Sequence, residues 1–404
     1  MAMRPLKALM KLGEAMELLM AKGMPIDRVE QVPSTDAIHR VLAADVVARF
    51  DVPSFPRAAM DGYAVRAEDT FGAGQYSPKE LELIEEVHAG DVGTLAVRPA
   101  TCVQVATGAP IPEGSDAVVQ VEVTDREGQH VRVYKPVYPK QNVSSRGADF
   151  TAGSLMLKQG THLTPSTIGV LAALGYAEVE VYERPTVAII PTGNEVVPPG
   201  HPVRPGQIYD INSYTLCALC KENGWQVRLL PVVPDRREAL TETILQASAA
   251  DLVVLSGGSS VGERDQVIDV ISELGSVEFH GIAVKPGKPT LLGVLRVGTV
   301  IIGMPGYPTS CLTNGYGLLA PLLRKIARLP EKSYQVVRAP MARRMTSELG
   351  RHQYLTVAIE DGQVVPVFKE SGTITSMANA MGYIEIPENV DLVEKGEMVD
   401  VVLF

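Results

Sequence analysis

The chain has 404 residues, enough for about two or three domains at roughly 150 residues each. Hydrophobic residues make up 46% and charged residues 21%, a balance that excludes a disordered chain. Lys and Arg number 37 against 47 Asp and Glu, a net charge of −10, and aromatics are only 5%. Such a surface does not attract phosphate backbones and offers no stacking platform, so nucleic acid is excluded as a partner.

The N-terminus opens with Leu9, Leu12, Met16 and Leu19 at helical spacing. Lys11, Glu14 and Glu17 interrupt its apolar run, which marks a packing helix and not a signal peptide. A turn-like segment, IDRVEQVPSTDAIHRVLA, follows. From about 47 to 144 the chain carries short β-like runs (LELIEEV, TCVQVAT, DAVVQVEV, HVRVYKPV) punctuated by Gly and Pro. In this zone Asp61-Gly62 reads as a hairpin turn; in the linker that follows, Arg146 with Asp149 reads as an inter-domain turn with a local ion pair.

From about 184 to 329 strands alternate with helices. PTVAIIP, WQVRLLPVV, DLVVLS, VEFHGIAV, LLGV and TVIIG are the strands. YTLCALCKENG, RREALTETILQASA, QVIDVISEL and SCLTNGYGLLAPLLRKIA are the helices. This alternation predicts a largely parallel, three-layer sheet whose ligands bind beyond the carboxyl ends of its strands. Four polar or Gly-rich segments fall at such ends: TGNE, the Pro-Asp of VVPDR, SGGSSVGERD and GMPGYPTS. From about 330 to 404 β patterning returns, with Asp361-Gly362 as a type I′ turn. No run approaches the ~18 apolar residues of a membrane span.

Four cysteines are too few for a disulfide scaffold. Cys217 and Cys220 share a helix face without a second pair nearby, so buried core residues are the simpler reading. A reducing cytoplasm is the expected location.

Within the α/β zone, Ser256-Gly257-Gly258-Ser259-Ser260 links a strand to a helix region, where backbone N–H groups and a helix start can hold an anion. A plain tight turn is the alternative. Lys285-Pro286-Gly287-Lys288-Pro289 holds two ammonium groups on a short stiff loop, suited to a dianion in an acidic chain. Glu195, Asp235 and Asp265 are acidic candidates at strand ends. Beside a phosphate they need a hard cation such as Mg²⁺, although any one of them also suits a turn or cap. Asp265 fits a cap for the helix beginning near Gln266.

Seven motifs in order (AAMDGYAV, ATGAPIPEGSDAVV, NVSSRGADFTAG, PTGNEVVPPG with GQIYDIN, LSGGSSVGERD, VKPGKPTLLG and GMPGYPTS) span essentially the whole chain. On these the sequence resembles the molybdopterin molybdenumtransferase family, which includes bacterial MoeA and the C-terminal domain of gephyrin. The resemblance implies an α/β multidomain fold, an elongated four-domain chain that forms a homodimer. Domain I would join 1–46 to 145–183, with a β-rich domain II inserted at 47–144. Domain III (184–329) would be the three-layer molybdopterin-binding α/β domain, and domain IV (330–404) a small β-barrel.

The implied reaction inserts molybdate (or tungstate) into adenylylated molybdopterin, with Mg²⁺-dependent cleavage of the phosphoanhydride and release of AMP. In the implied roles, Asp61 reaches the partner subunit's cleft, and Thr107 and Asp149 occupy further functional positions. Glu195, Asp235 and Asp265 handle Mg²⁺ and substrate. Gly257, Gly258 and Ser260 hold phosphate oxygens. Lys285 and Lys288 are the paired lysines, with Lys288 beside molybdate, and Ser310, Arg351 and Ser376 contact the oxyanion. The molybdopterin adenylyltransferase is an implied partner. A non-catalytic, gephyrin-like scaffold for a peptide is the alternative. The chain departs from the family pattern at Arg57-Ala58, Asn194, Ser259-Ser260, Ala380-Met381 and Tyr307, the last replacing a common Asn.

Overall fold

The computed structural model describes residues 9–257, 266–368 and 372–404. The chain divides into two units. One takes residues 32–38 and 44–179, and the other residues up to 31, 39–43 and 180 onward.

The first unit is built on a six-stranded sheet. Its order is Ala117–Gln120, Gly62–Val65, Thr101–Val105, Lys79–Val87, His130–Val133 and Thr124–Glu127. Only the Lys79–Val87 and Thr101–Val105 pair is parallel. Both faces are covered. Tyr63 and Val65 pack with Leu81, Val119 and Val131, whereas Ala64 packs with Val87, Val103 and Val118. That two-sided burial overturns the hairpin reading of Asp61-Gly62. Gly62 starts a strand that pairs with Val105 on one side and Gln120 on the other. A Cβ there would lie 1.9 Å from the Val119 carbonyl oxygen, so only glycine lets the strands close. DAVVQVEV is also not strand throughout, since the strand ends at Gln120 and a 3₁₀ turn takes up Val121–Val123.

Flanking this sheet, Val143–Ser144 pairs with Arg57–Ala58, and Leu155–Leu157 with Val46–Val47. The predicted Arg146–Asp149 ion pair does not form. Arg146 Nε donates instead to Asp51 Oδ2 at 2.5 Å, because the Val52–Phe150 bridge lays Asp51 against this turn. The helix Pro165–Ala173 is fixed at its start by a capping box between Thr164 and Thr167, with Pro165 in the first turn.

The second unit carries the predicted three-layer sheet, in the order Gln226–Leu229, Thr186–Pro191, Leu252–Ser256, Val300–Met304, Leu291–Leu295 and Gly275–His280. The first four strands are parallel. Alternate residues serve opposite faces, which is why residues 187–191 are apolar throughout. Val187 and Ile189 join Leu216, Leu219 and Leu322, while Ala188 and Ile190 join Leu240, Ile244 and Ile271. The N-terminal helix, Leu12–Lys22, adds Ala15 and Leu19 to the first of these layers. Each such fully buried leucine or isoleucine contributes about 1.5–3 kcal/mol. Cys220 is likewise a buried member of that layer, and all four cysteines are free thiols.

VEFHGIAV is two strands. Gly275–His280 stays in the α/β sheet, while Val284–Lys285 pairs in parallel with His352-Gln353 of the C-terminal sheet. The chain turns between them at Gly281, whose N–H donates to the Thr290 carbonyl at 2.8 Å. The long predicted helix after GMPGYP is also interrupted, running Pro308–Asn314, a π-helical turn Gly315–Leu319, then Ala320–Ile326. The C-terminal sheet continues from His352–Glu360 through Gly382–Ile386 and Met398–Leu403 to Val336–Pro340. Asp361 and Gly362 both adopt positive φ in the expected hairpin. A bridge from Met341 to Val364 brings the far edge back toward that hairpin.

Candidate active site

In the second unit the carboxyl ends of the parallel strands converge. Thr192 N–H donates to the Ser256 carbonyl at 3.0 Å, Gly193 N–H to Val233 at 3.2 Å and Gly257 N–H to Met304 at 3.3 Å. The segments TGNE, VVPD, Ser256-Gly257 and MPGYP therefore lie side by side, as predicted from their positions after strands. A cleft of about 770 Å³ opens there, and Glu195, Gly257, Asp210, Asn212, Pro289 and Tyr307 are among its walls.

Glu195 and Asp235 act on one another in this region. The Asp235 carboxyl is held above its ordinary range, first by burial and then by the negative charge of Glu195. Asn194 Oδ1 accepts from the Asp235 N–H at 3.3 Å. Two mutually repelling carboxylates are hard-oxygen donors of the kind Mg²⁺ takes, so these residues fit that ion. Among the described residues no cluster of three potential ligand side chains occurs. Asp265, the third predicted acid, lies outside the described residues, as do Gly258 and Ser260.

The basic loop borders the same cleft through Pro289. Lys285 is anchored by strand pairing with Gln353, and the Lys288 carbonyl accepts from Ile282 and Thr290 N–H groups, both at 3.0 Å. Beneath the loop, Asn314 is 1% exposed and donates through Nδ2 to the Gly287 carbonyl at 2.8 Å and to Thr290 Oγ1 at 2.7 Å. Neither lysine ammonium has a hydrogen-bond or ion-pair partner among the described residues.

Ser310 is buried in the first turn of Pro308–Asn314. Ser376 is 1% exposed, and its hydroxyl lies 2.9 Å from Thr373 Oγ1. That shelters it beneath the turn that receives Thr309 Oγ1 at the Thr373 carbonyl, 2.9 Å. Arg351 directly precedes the His352 that pairs with Val284, and its Nη1 donates to Glu348 at 3.2 Å.

In the first unit, two residues singled out from separate motifs meet. Asp61 Oδ1 accepts from the Thr107 N–H at 2.6 Å and from the Thr107 hydroxyl at 2.9 Å. These donors, the N–H foremost, hold the Asp61 carboxyl below its ordinary range, so it is an anion at neutral pH. Asp61 edges a pocket of about 290 Å³ with Glu86, His88 and Gln104. Asp149 is exposed, and its N–H donates to the Val52 carbonyl at 2.9 Å.

Sequence reasoning gave no role to Asp210, Asn212 or Asn314. Asp210 is 6% exposed, and its carboxylate accepts from the Ser213 N–H at 3.1 Å and from the Ser213 hydroxyl. Burial pushes its carboxyl upward while the Ser213 N–H opposes that shift. The IYDIN motif was the available signal for the first two residues, whereas nothing marked Asn314.

Three family models match: MoeA N-terminal region (domain I and II) over residues 10–175, "Probable molybdopterin binding domain" over 188–325, and MoeA C-terminal region (domain IV) over 338–404. Molybdopterin molybdenumtransferase 2 of Mycobacterium tuberculosis is 37% identical over 95% of this chain and 97% of its own length. The molybdopterin molybdenumtransferase of Haemophilus influenzae is 38% identical over 74% of this chain and 73% of its own. The crystal structure of the molybdopterin biosynthesis MoeA protein from Pyrococcus horikoshii superposes with a TM-score of 0.84 at 41% identity, covering 98% of this chain and 99% of that one. Matches of this extent make the chain a member of the MoeA family of molybdopterin molybdenumtransferases.

Proposed function

We propose that this protein inserts molybdenum into molybdopterin, taking molybdate (or tungstate) and adenylylated molybdopterin and releasing molybdenum cofactor and AMP. The observation that carries the reading is the presence, at one edge of a parallel sheet, of a Glu195–Asp235 carboxylate pair and of a two-lysine loop that borders the cleft through Pro289, its ammonium groups without a partner among the described residues. The activity named for the relatives agrees with it.

Molybdate is a hydrated dianion. Lys285 and Lys288 replace part of its water shell and fix its oxygens while the dithiolene sulfurs approach. Pairing to the C-terminal sheet and the buried Asn314 hold the loop in place, so little reorganisation accompanies binding. Glu195 and Asp235, with Asp265, would hold Mg²⁺, which when bound offsets charge building on the phosphoanhydride. Asp61, ionised and oriented by Thr107, accepts a proton or orients a nucleophile but does not act as an acid at neutral pH. It belongs to the other unit, and the proposal assigns it to the cleft of a second copy in a homodimer. Ser310, Arg351 and Asp149 complete the proposed site, with Ser376 supporting the Thr373 turn. Free thiols at all four cysteines agree with a cytoplasmic location, and no helix among the described residues is long and apolar enough to cross a membrane.

The test is metal insertion with purified adenylylated molybdopterin and molybdate. Asp61→Asn and Lys288→Ala fold as wild type and lose insertion. Activity within about twofold of wild type in either variant would remove that residue from the site. Light scattering at micromolar concentration gives a dimer mass, and a monomer there contradicts the shared arrangement.

A further inference from the structure

The cleft has a chemical character that the oxyanion chemistry leaves unused. Four apolar or aromatic side chains that line it are strongly exposed: Tyr307 at 66%, Ile208 at 57%, Tyr209 at 47% and Val203 at 38%. Single exposed apolar residues are ordinary, but convergence on one concave surface marks a place where a ligand covers them. A Cβ built on Gly372 would lie 3.7 and 3.9 Å from the Cδ1 and Cε1 of Tyr307, so glycine there keeps a side chain off that part of the ring. Tyr209 is tethered, its hydroxyl donating to the His201 carbonyl at 3.0 Å, so holding that ring against a ligand costs little side-chain entropy.

Charge narrows the ligand. No Lys or Arg is among the described residues lining the cleft, and its ionisable walls include Glu195 and Asp210. On the wall formed by Asp210 and Tyr307, a neutral ring with N–H donors is therefore favoured over an anion. Each Asp210 oxygen already accepts one hydrogen bond from Ser213 and keeps acceptor capacity for another. A carboxylate so placed matches two adjacent donors on one ring edge.

We propose that Tyr307 is a specificity-determining residue, its ring stacking on the flat aminopyrimidinone ring of the pterin while Asp210 accepts that ring's paired N–H donors. This rests on the reading that the site takes adenylylated molybdopterin, and it deepens that reading by assigning the heterocycle. Of the two heterocycles in that substrate, the pterin carries its ring N–H beside its amino group. Adenine instead has an acceptor beside its amino group, so it matches a carboxylate less well.

The experiment titrates the full-length protein with 6-hydroxymethylpterin and, separately, with AMP, in wild type, Tyr307→Phe and Tyr307→Ala. A lost ring–ring stack weakens binding at least about fivefold. Tyr307→Ala accordingly loses pterin affinity by that factor or more, Tyr307→Phe stays within about twofold, and AMP binding is unchanged in both. Wild-type pterin affinity in Tyr307→Ala overturns the stacking assignment and leaves the insertion reading intact. Loss of AMP instead of pterin overturns the choice of heterocycle. A wild-type protein that binds neither probe refutes the insertion reading and this proposal with it.

Discussion

Replacing Gly287 by Ala tests how the lysine loop is held. Gly287 has φ +107°, and a Cβ there would fall 2.3 Å from Asn314 Nδ2 and 2.6 Å from its Cγ. The added methyl meets a buried amide, not solvent, so Asn314 must move and give up its bonds to the Gly287 carbonyl and Thr290 Oγ1. Backbone strain costs about 1–3 kcal/mol. Stranding a buried amide costs a further ~1–3 kcal/mol. Partial relaxation of one relieves the other, so about 3 kcal/mol is expected. For a unit of this size that lowers Tm by roughly 6–12 °C. Gly298→Ala is the control. Its φ is +92°, but nothing lies within 4 Å of its Cβ, so it carries strain alone. Calorimetry reads the stability, and molybdate titration reads the loop. Gly287→Ala loses both stability and oxyanion affinity, while Gly298→Ala keeps wild-type affinity. If Gly287→Ala matched Gly298→Ala in Tm and bound molybdate like wild type, the Asn314 clamp would have no role in positioning the lysines.

Two further outcomes follow from the geometry. Gly62→Ala forces a methyl into the Val119 backbone within a six-stranded sheet and destabilises the first unit by about 3 kcal/mol or more, read by urea unfolding. A loss under about 1 kcal/mol would mean that the strands have room to separate. Asp235 carries a raised carboxyl, so ionising it costs the native state. That cost is absent below the unfolded value of about 3.9 and grows as pH rises through the folded value. Asp235→Asn removes it, so without divalent cations the variant melts above wild type at neutral pH and the gap closes in acid. Added Mg²⁺ raises the wild-type Tm and not that of the variant. Equal melting at neutral pH would show that the Glu195–Asp235 repulsion is not felt.

Much of this arrangement was legible in the sequence. The parallel sheet announced itself through apolar runs buried on both faces, and the strand-end segments followed from that topology. The Asp61–Thr107 contact was not legible, because it joins two turns 46 positions apart whose plain readings were separate. Asp51 displaced Asp149 as the partner of Arg146 for the same reason, since a strand bridge and not sequence proximity decides which side chains meet. VEFHGIAV was misread because periodicity does not reveal which sheet a strand joins. Asn314 left no trace, for a buried asparagine in a helix has no pattern until its acceptors are known.

The pairing of Val284–Lys285 with His352-Gln353 bears on how this protein can be re-engineered. A chimera that exchanged the α/β region between relatives and kept the original C-terminal strands would inherit a lysine loop stitched to a foreign edge. Recombination breakpoints that respect the anion-holding apparatus must carry residues 284–289 together with the strand that begins at His352, although some sixty positions of chain separate them.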